Sequence, residues 1–129
     1  MKAYIAGPMR GYNKFNFPAF HEAEALARSL GLEVLNPARM DEELGFDPEK
    51  SLDEQPTFTM RDFVKRDLDC ILSLTPGTDW IILLEGWEKS KGASAEHAVA
   101  KWLGVNAMPL VFLQQLHRNF PGVRFGNRN

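Results

Sequence analysis

The sequence predicts an α/β protein, a three-layer sandwich with helices on both faces of a parallel sheet of four to five strands. Three observations carry this expectation. Short, almost wholly apolar runs such as WIILL at 80–84 read as strands buried on both faces. Between them lie stretches whose apolar residues recur at helical spacing. The two kinds of segment alternate along 129 residues, a length that suits one domain, 1–129, around a single core.

Residues 2–6, KAYIA, form the first strand, stopped by Gly7-Pro8. The loop GPMRGYNKFNF follows, and Pro18 opens a helix with Asn16 or Phe17 at its cap, where a missing N–H costs nothing. Ala19, Phe20, Ala23, Leu26, Ala27 and Leu30 line one face of that helix, and Gly31 terminates it. Residues 32–35 make a second strand, ended by Asn36-Pro37. Residues 38–58 are acidic and punctuated by Gly45, Pro48 and Pro56. They read as an irregular excursion or lid with one helical turn near 40–44. Thr59 caps the next helix, with Asp62 as its capping-box partner, and the helix runs to about residue 72. The turn TPGTD leads into the third strand, 80–84, then the loop EGWEKSKGA, a helix ended by Gly104, and a fourth strand at 108–113. This order is that of a small Rossmann-like fold. Residues 114–129 read as a tail carrying Arg118, Arg124 and Arg128, either solvated, packed on a partner subunit, or touching an anionic ligand.

The totals exclude several classes. A net charge of −2 supplies no basic field for a nucleic-acid polymer. The single cysteine, Cys70, forms no internal disulfide and suits a reducing compartment. No run of about 18 apolar residues exists, and MKAYIAG lacks a secretory pattern, so a cytoplasmic enzyme or binding domain without membrane contact is expected. His21, His97 and His117 belong to no metal motif, and the sequence holds neither a P-loop nor a GxSxG elbow. Neither a metal nor an organic cofactor is expected.

Two carboxylates stand out. On the helix from Thr59, the apolar stripe Met60, Phe63, Val64, Leu68 and Ile71 should face the sheet, and Asp67 falls inside it, while Asp62 and Asp69 fall opposite. An unpaired buried carboxylate costs several kcal/mol. Asp67 therefore either caps a neighbouring loop or lines a site. Glu96 sits at the border of a stripe formed by Ala95, Ala98, Val99, Trp102 and Leu103, in what reads as the first helical turn. Either it is a surface glutamate facing the helix dipole, or that dipole keeps it ionised as a nucleophile. The small neighbours Gly92, Ala93, Ser94 and Ala95 leave room for a ligand to approach and favour the second possibility.

In an open parallel sheet a ligand binds beyond the carboxyl ends of the strands. The loops leaving strands one and three both run into helix N-termini, whose free N–H groups attract anions. Arg10 can grip a phosphate by two bonds, or it is a plain surface cation; Ser90 adds a hydroxyl.

YIAGPMRG at the start, RDLDCI in the middle and DWIILLEGWEKSKGASAEHAVAKWLG together resemble the nucleoside 2-deoxyribosyltransferase family. The likeness is closer to its hydrolytic branch, the 2'-deoxynucleoside 5'-monophosphate N-glycosidases, and to small relatives often carried by phages. The resemblance implies that Glu96 attacks the anomeric carbon, Tyr4 orients Glu96, and Asp67 assists the sugar and the leaving base. It implies substrate contacts from Gly7, Met9, Arg10, Gly11, Ser90 and Gly92, with Arg10 and Ser90 on the phosphate. Pro8 departs from the hydrolases' pattern and contributes no N–H, which implies a smaller anion cradle. The implied activity is hydrolysis of a (deoxy)nucleoside 5'-monophosphate to free base and sugar 5-phosphate. Base exchange between nucleosides and non-catalytic nucleotide binding are the alternatives. Members of the family form dimers whose neighbours complete each site, so a homodimer is expected.

Overall fold

The computed structural model of the protein describes residues 1–55 and 57–126. Four strands form one sheet: β1 (Lys2–Ala6), β2 (Glu33–Leu35), β3 (Trp80–Leu83) and β4 (Asn106–Pro109), in the order β2-β1-β3-β4 with every pair parallel. Five helices accompany them: α1 (Phe17–Ser29), α2 (Pro37–Glu43), α3 (Met60–Leu72), α4 (Lys91–Leu103) and α5 (Leu110–Asn119). The three-layer α/β sandwich expected from the sequence is the fold observed.

Alternation along β1 assigns the layers. Tyr4 and Ala6 point into a core with Ile81, Leu83, Ile71 of α3 and Ala93 and Ala100 of α4. Ala3 points to the opposite face, against Ala27 of α1 and Leu113 of α5. Ile5, also on that face, packs with Phe17, Phe20, Ala38 and Phe46. Tyr4 is thereby fully buried and aimed at α4.

The caps are local. The Thr59 and Ser90 hydroxyls accept hydrogen bonds from the N–H groups of Asp62 and Ala93, opening α3 and α4. Gly104, at φ 83°, ends α4 in the left-handed region. Helix α1 begins at Phe17 with Pro18 in its first turn, as expected, but its cap Asn16 and the two residues before it, Lys14 and Phe15, all have φ between 52° and 62°. Such a run costs roughly 1–2 kcal/mol per residue. Phe15 offsets part of it by packing edge-on against Phe46 at 5.2 Å, and the Asn16 amide donates to the Pro8 carbonyl at 2.9 Å.

Five expectations are corrected. The 38–58 excursion is anchored rather than free: Asn36 caps α2, Phe46 and Gln55 are buried, and Gln55 ties down the backbone of Asp47, Lys50 and Ser51. Its few apolar residues gain partners from β1, the loop after it, α1 and α3, which a local pattern does not reveal. The fourth strand lies at Asn106–Pro109, and LVFLQQLH continues as α5, because Leu110, Leu113 and Leu116 recur every third residue and turn one face inward. The 114–129 tail therefore begins as helix, and further on the Phe125 N–H donates to the Leu30 carbonyl at 2.6 Å, docking it on the end of α1. Arg128 lies outside the described residues. On α3, Met60 and Val64 are exposed while Ile71 is buried. On α4, Trp102 is 89% exposed and the inward face is Ala93, Glu96 and Ala100, with Val99 and Leu103 beside it. One bulky residue outweighs several alanines in a periodicity count, so Trp102 turned the apparent face by about one residue.

Candidate active site

The chain leaves β1 to one side, toward β2, and leaves β3 to the other, toward β4. Their carboxyl ends are neighbours, through the pairing of Ala6 with Leu83, so the loops that follow diverge and open a crevice. A cavity of about 630 Å³ lies there, within the range that holds a small molecule. The loop after β1 lines it with Gly7, Pro8, Met9 and Arg10, the loop after β3 with Gly86, Lys89 and Ser90, and the first turn of α4 with Lys91 and Gly92. Two glycines permit this closeness. A Cβ on Gly7 would stand 2.7 Å from Leu84 Cβ, and one on Gly86, at φ 86°, would stand 2.7 Å from the Tyr12 hydroxyl.

Of the residues expected at the site, Glu96, Asp67, Gly7, Met9, Arg10, Ser90 and Gly92 line the cavity. Gly11 does not; it forms the adjoining turn at φ 82°. Tyr4 stands behind the wall, and its hydroxyl donates a hydrogen bond to Glu96 Oε2. The Ser90 hydroxyl already accepts from the Ala93 N–H at 3.1 Å as the cap of α4, so what it offers a ligand is its own O–H. Arg10 is exposed at the rim, with Met60 Sδ 3.8 Å from its guanidinium. His97 turns away and packs against Trp87, with ring centroids 4.6 Å apart. Cys70 is half-buried beside Met40, and burial raises its thiol.

The charge state of Glu96 differs from the expectation. Helix α4 starts at Lys91, which puts Glu96 in the second turn, beyond the free N–H groups of the helix mouth. Burial pushes its carboxyl up to about 8, and the nearby Asp67 charge adds to this, while the Tyr4 hydroxyl and Arg66 draw it back. Glu96 is therefore mostly protonated at neutral pH in the free protein, and Tyr4 and Arg66 are the groups that favour its ionised form. Burial also raises Asp67, against the pull of Arg66. Tyr4 is raised by burial and by the Glu96 and Asp67 charges, so it remains a donor.

Sequence patterns missed two members of the site. Arg66 precedes Asp67 in the chain and bonds to it, and Asp41, on α2, lines the cavity and contacts Arg66 from the other side. The acidic run around Asp41 carried no local signal that this one side chain turns inward. An aromatic wall was likewise invisible: Phe46 meets Phe15, Phe17, Phe58 and Phe63 at centroid distances of 5.2 to 6.0 Å. Among the described residues no group of three or more His, Cys, Asp or Glu side chains is arranged to hold a metal ion, and no helix is long and apolar enough to cross a membrane.

The arrangement offers a half-buried carboxylate with an aligned donor, a second carboxylate paired to a guanidinium, an apolar aromatic wall, and a cationic rim of Arg10, Lys89 and Lys91. Such a site can capture an electron-poor carbon and bind an anion at its mouth. A family model described as "Domain of unknown function (DUF4406)" matches residues 1–109. No curated protein and no solved structure matches the chain.

Proposed function

Because the chain belongs to the DUF4406 family, whose description names no activity, we propose a function from its site: hydrolysis of the N-glycosidic bond of a (deoxy)nucleoside 5'-monophosphate, releasing free base and sugar 5-phosphate. The observation that carries the reading is the Tyr4–Glu96 hydrogen bond at the wall of a crevice that Asp67 also lines. The sequence motifs resembling the 2'-deoxynucleoside 5'-monophosphate N-glycosidases support it from a second direction.

The chemistry follows from oxocarbenium-like bond cleavage. Ionised Glu96 bonds to the anomeric carbon from the face opposite the base, as in retaining glycosidases. The C–N bond breaks, the base keeps the electron pair, and a proton reaches it from the Asp67 side. Water then adds its oxygen to the anomeric carbon, a proton returns to the carboxylate pair, and Glu96 is freed. Arg10, Lys89 and Lys91 suit the phosphate, and the aromatic wall suits a flat base. The homodimer belongs to the same proposal, supported by the exposed apolar side chains Met60, Val64 and Leu72 on α3 and Trp102 on α4. Sedimentation of a monomer at all concentrations would remove it.

A panel of nucleoside monophosphates, analysed by chromatography for base release, tests the activity. Release from at least one monophosphate is the expected result. Monophosphate binding without release makes the protein a nucleotide-binding module instead, and an exchanged nucleoside in the presence of a second free base makes it a transferase.

A further inference from the structure

Three carboxylates line the cavity, Asp41, Asp67 and Glu96, and a single guanidinium lies between two of them. Arg66 Nη2 and Nε donate to Asp67 Oδ1 at 2.6 and 3.0 Å. On its other edge, Nη1 lies 2.7 Å from Asp41 Oδ1. The first contact is aligned as a forked hydrogen bond. The second is close without alignment, so Asp41 Oδ1 and Arg66 Nη1 are buried with no aligned hydrogen-bond partner among the described residues. Arg66 Nη2 also reaches the Pro37 carbonyl at 3.4 Å, and the guanidinium carbon lies 5.8 Å from the centre of the Phe63 ring. The side chain is held on three sides, by α2, by α3 and by its own sequence neighbour.

Asp41 and Asp67 compete for this one cation. Asp41 is 6% exposed and burial raises its carboxyl to about 6 despite Arg66. The groups facing Asp67 are Arg66 and Cys70 from α3, Asp41 from α2, Glu96 from α4 and Tyr4 from β1; only Arg66 among them is cationic. Removing the guanidinium leaves Asp41 and Asp67 without a cation in contact, since Arg10, Lys89 and Lys91 stand at the rim. Removing the Asp41 charge leaves the guanidinium wholly to Asp67. The two losses therefore act on Asp67 in opposite directions.

We propose that Arg66 is a positioning residue which holds Asp67 in its reacting orientation and is itself steadied by Asp41, so that a side chain of α2 governs the pocket carboxylates through one guanidinium. The inference rests on the reading of Glu96 and Asp67 as the reacting groups. It gives the 37–46 segment a role beyond walling the cavity, because any shift of α2 alters the charge on which the reaction depends.

Carboxyl carbon NMR titration of the free protein tests the arrangement without requiring a substrate. Arg66→Met raises the Asp67 midpoint by ~1 unit or more, the scale on which a close opposite charge acts, and raises Glu96 in the same direction. Asp41→Asn, an isosteric change, lowers the Asp67 midpoint. Arg66→Lys keeps the charge without the fork and falls between wild type and Arg66→Met. In turnover, Arg66→Met lowers kcat by about tenfold for each unit by which Glu96 rises, with KM little changed, and Arg66→Lys recovers part of the loss. An Asp67 midpoint unmoved in either variant, or moved in the same direction in both, overturns the proposal. Titrations that move as stated in a wild-type protein that releases no base from any monophosphate sustain the clamp and remove the N-glycosidase reading alone.

Discussion

Tyr4 on β1 and Glu96 on α4 stand 92 positions apart in the chain and share a hydrogen bond from phenol to carboxylate. The phenol is fully buried and burial raises its pKa, so it keeps the proton that it donates; the carboxylate is the group that titrates. That division of roles organises the consequences below.

Glu96→Gln preserves shape and removes the nucleophile. Base release should fall by at least ~100-fold with the fold intact. The pH dependence of stability supplies a second signature. The Glu96 carboxyl ionises near its ordinary value in the unfolded chain and near 8 in the folded one, so the folded state binds more protons between those values. Its contribution to stability is present below the unfolded value and is lost as pH rises through 8. Thermal melts across this window should slope downward less steeply in Glu96→Gln than in wild type. An unimpaired rate in this variant would falsify the assignment of Glu96.

Tyr4→Phe keeps the ring in its packed position and deletes the donor. Because the hydroxyl favours the charged form of Glu96, its loss should move the Glu96 titration further above about 8. Carbon NMR of the labelled carboxyl reads the shift directly. A midpoint unchanged or lowered in this variant contradicts the donor role.

Arg10→Ala separates phosphate recognition from catalysis. The side chain is exposed at the rim, so its loss leaves the core unaffected. KM for a nucleoside monophosphate should rise about tenfold or more, as for a lost charge-assisted contact, while the corresponding nucleoside is unaffected. Equal losses on both substrates would assign Arg10 to structure instead.

Glu24 on α1 ties down α2 through a network of hydrogen bonds. Burial opposes its ionisation, but hydrogen bonds from Arg39 at 2.7 Å, Arg28 at 2.6 Å and Asn36 at 2.9 Å outweigh that and hold its carboxyl at about 2. The network's contribution is present above the unfolded carboxylate range and is lost as pH falls toward 2. Both arginines are half exposed, so solvent screening limits the effect. Glu24→Gln should lower stability by about 1–2 kcal/mol at neutral pH in denaturant titrations. Equal stability of the variant and wild type would show the network to be ornamental.

The elements that sequence made legible share one property: their signal is local and strong. The apolar run of β3, the proline-opened α1 and the Thr59 cap each announce themselves within a few residues. The loops after β1 and β3 pointed to the site because a parallel sheet brings its carboxyl ends together at one edge. Helix α4 was legible as a helix but not in its rotation, since alanine carries little hydrophobic contrast and Trp102 dominates the pattern while standing in solvent. Asp41 was illegible for a different reason. Its neighbours Glu42 and Glu43 have the same chemistry, and only the position of Arg66 on another helix singles it out.

Composition and pattern by themselves determined a parallel α/β sandwich and the crevice-forming loops, because each follows from spacing along the chain, and offered Glu96, Asp67 and Arg10 as candidates beside them, with a capping or surface role left open for each. Tertiary structure alone decided that Glu96 sits a turn inside α4 with a raised carboxyl, and that Asp41 and Arg66 join Tyr4, which the family resemblance had implied, in its surroundings. The reason is physical: ionisation depends on burial and on charges contributed by distant segments, and neither is encoded in the spacing of neighbouring residues.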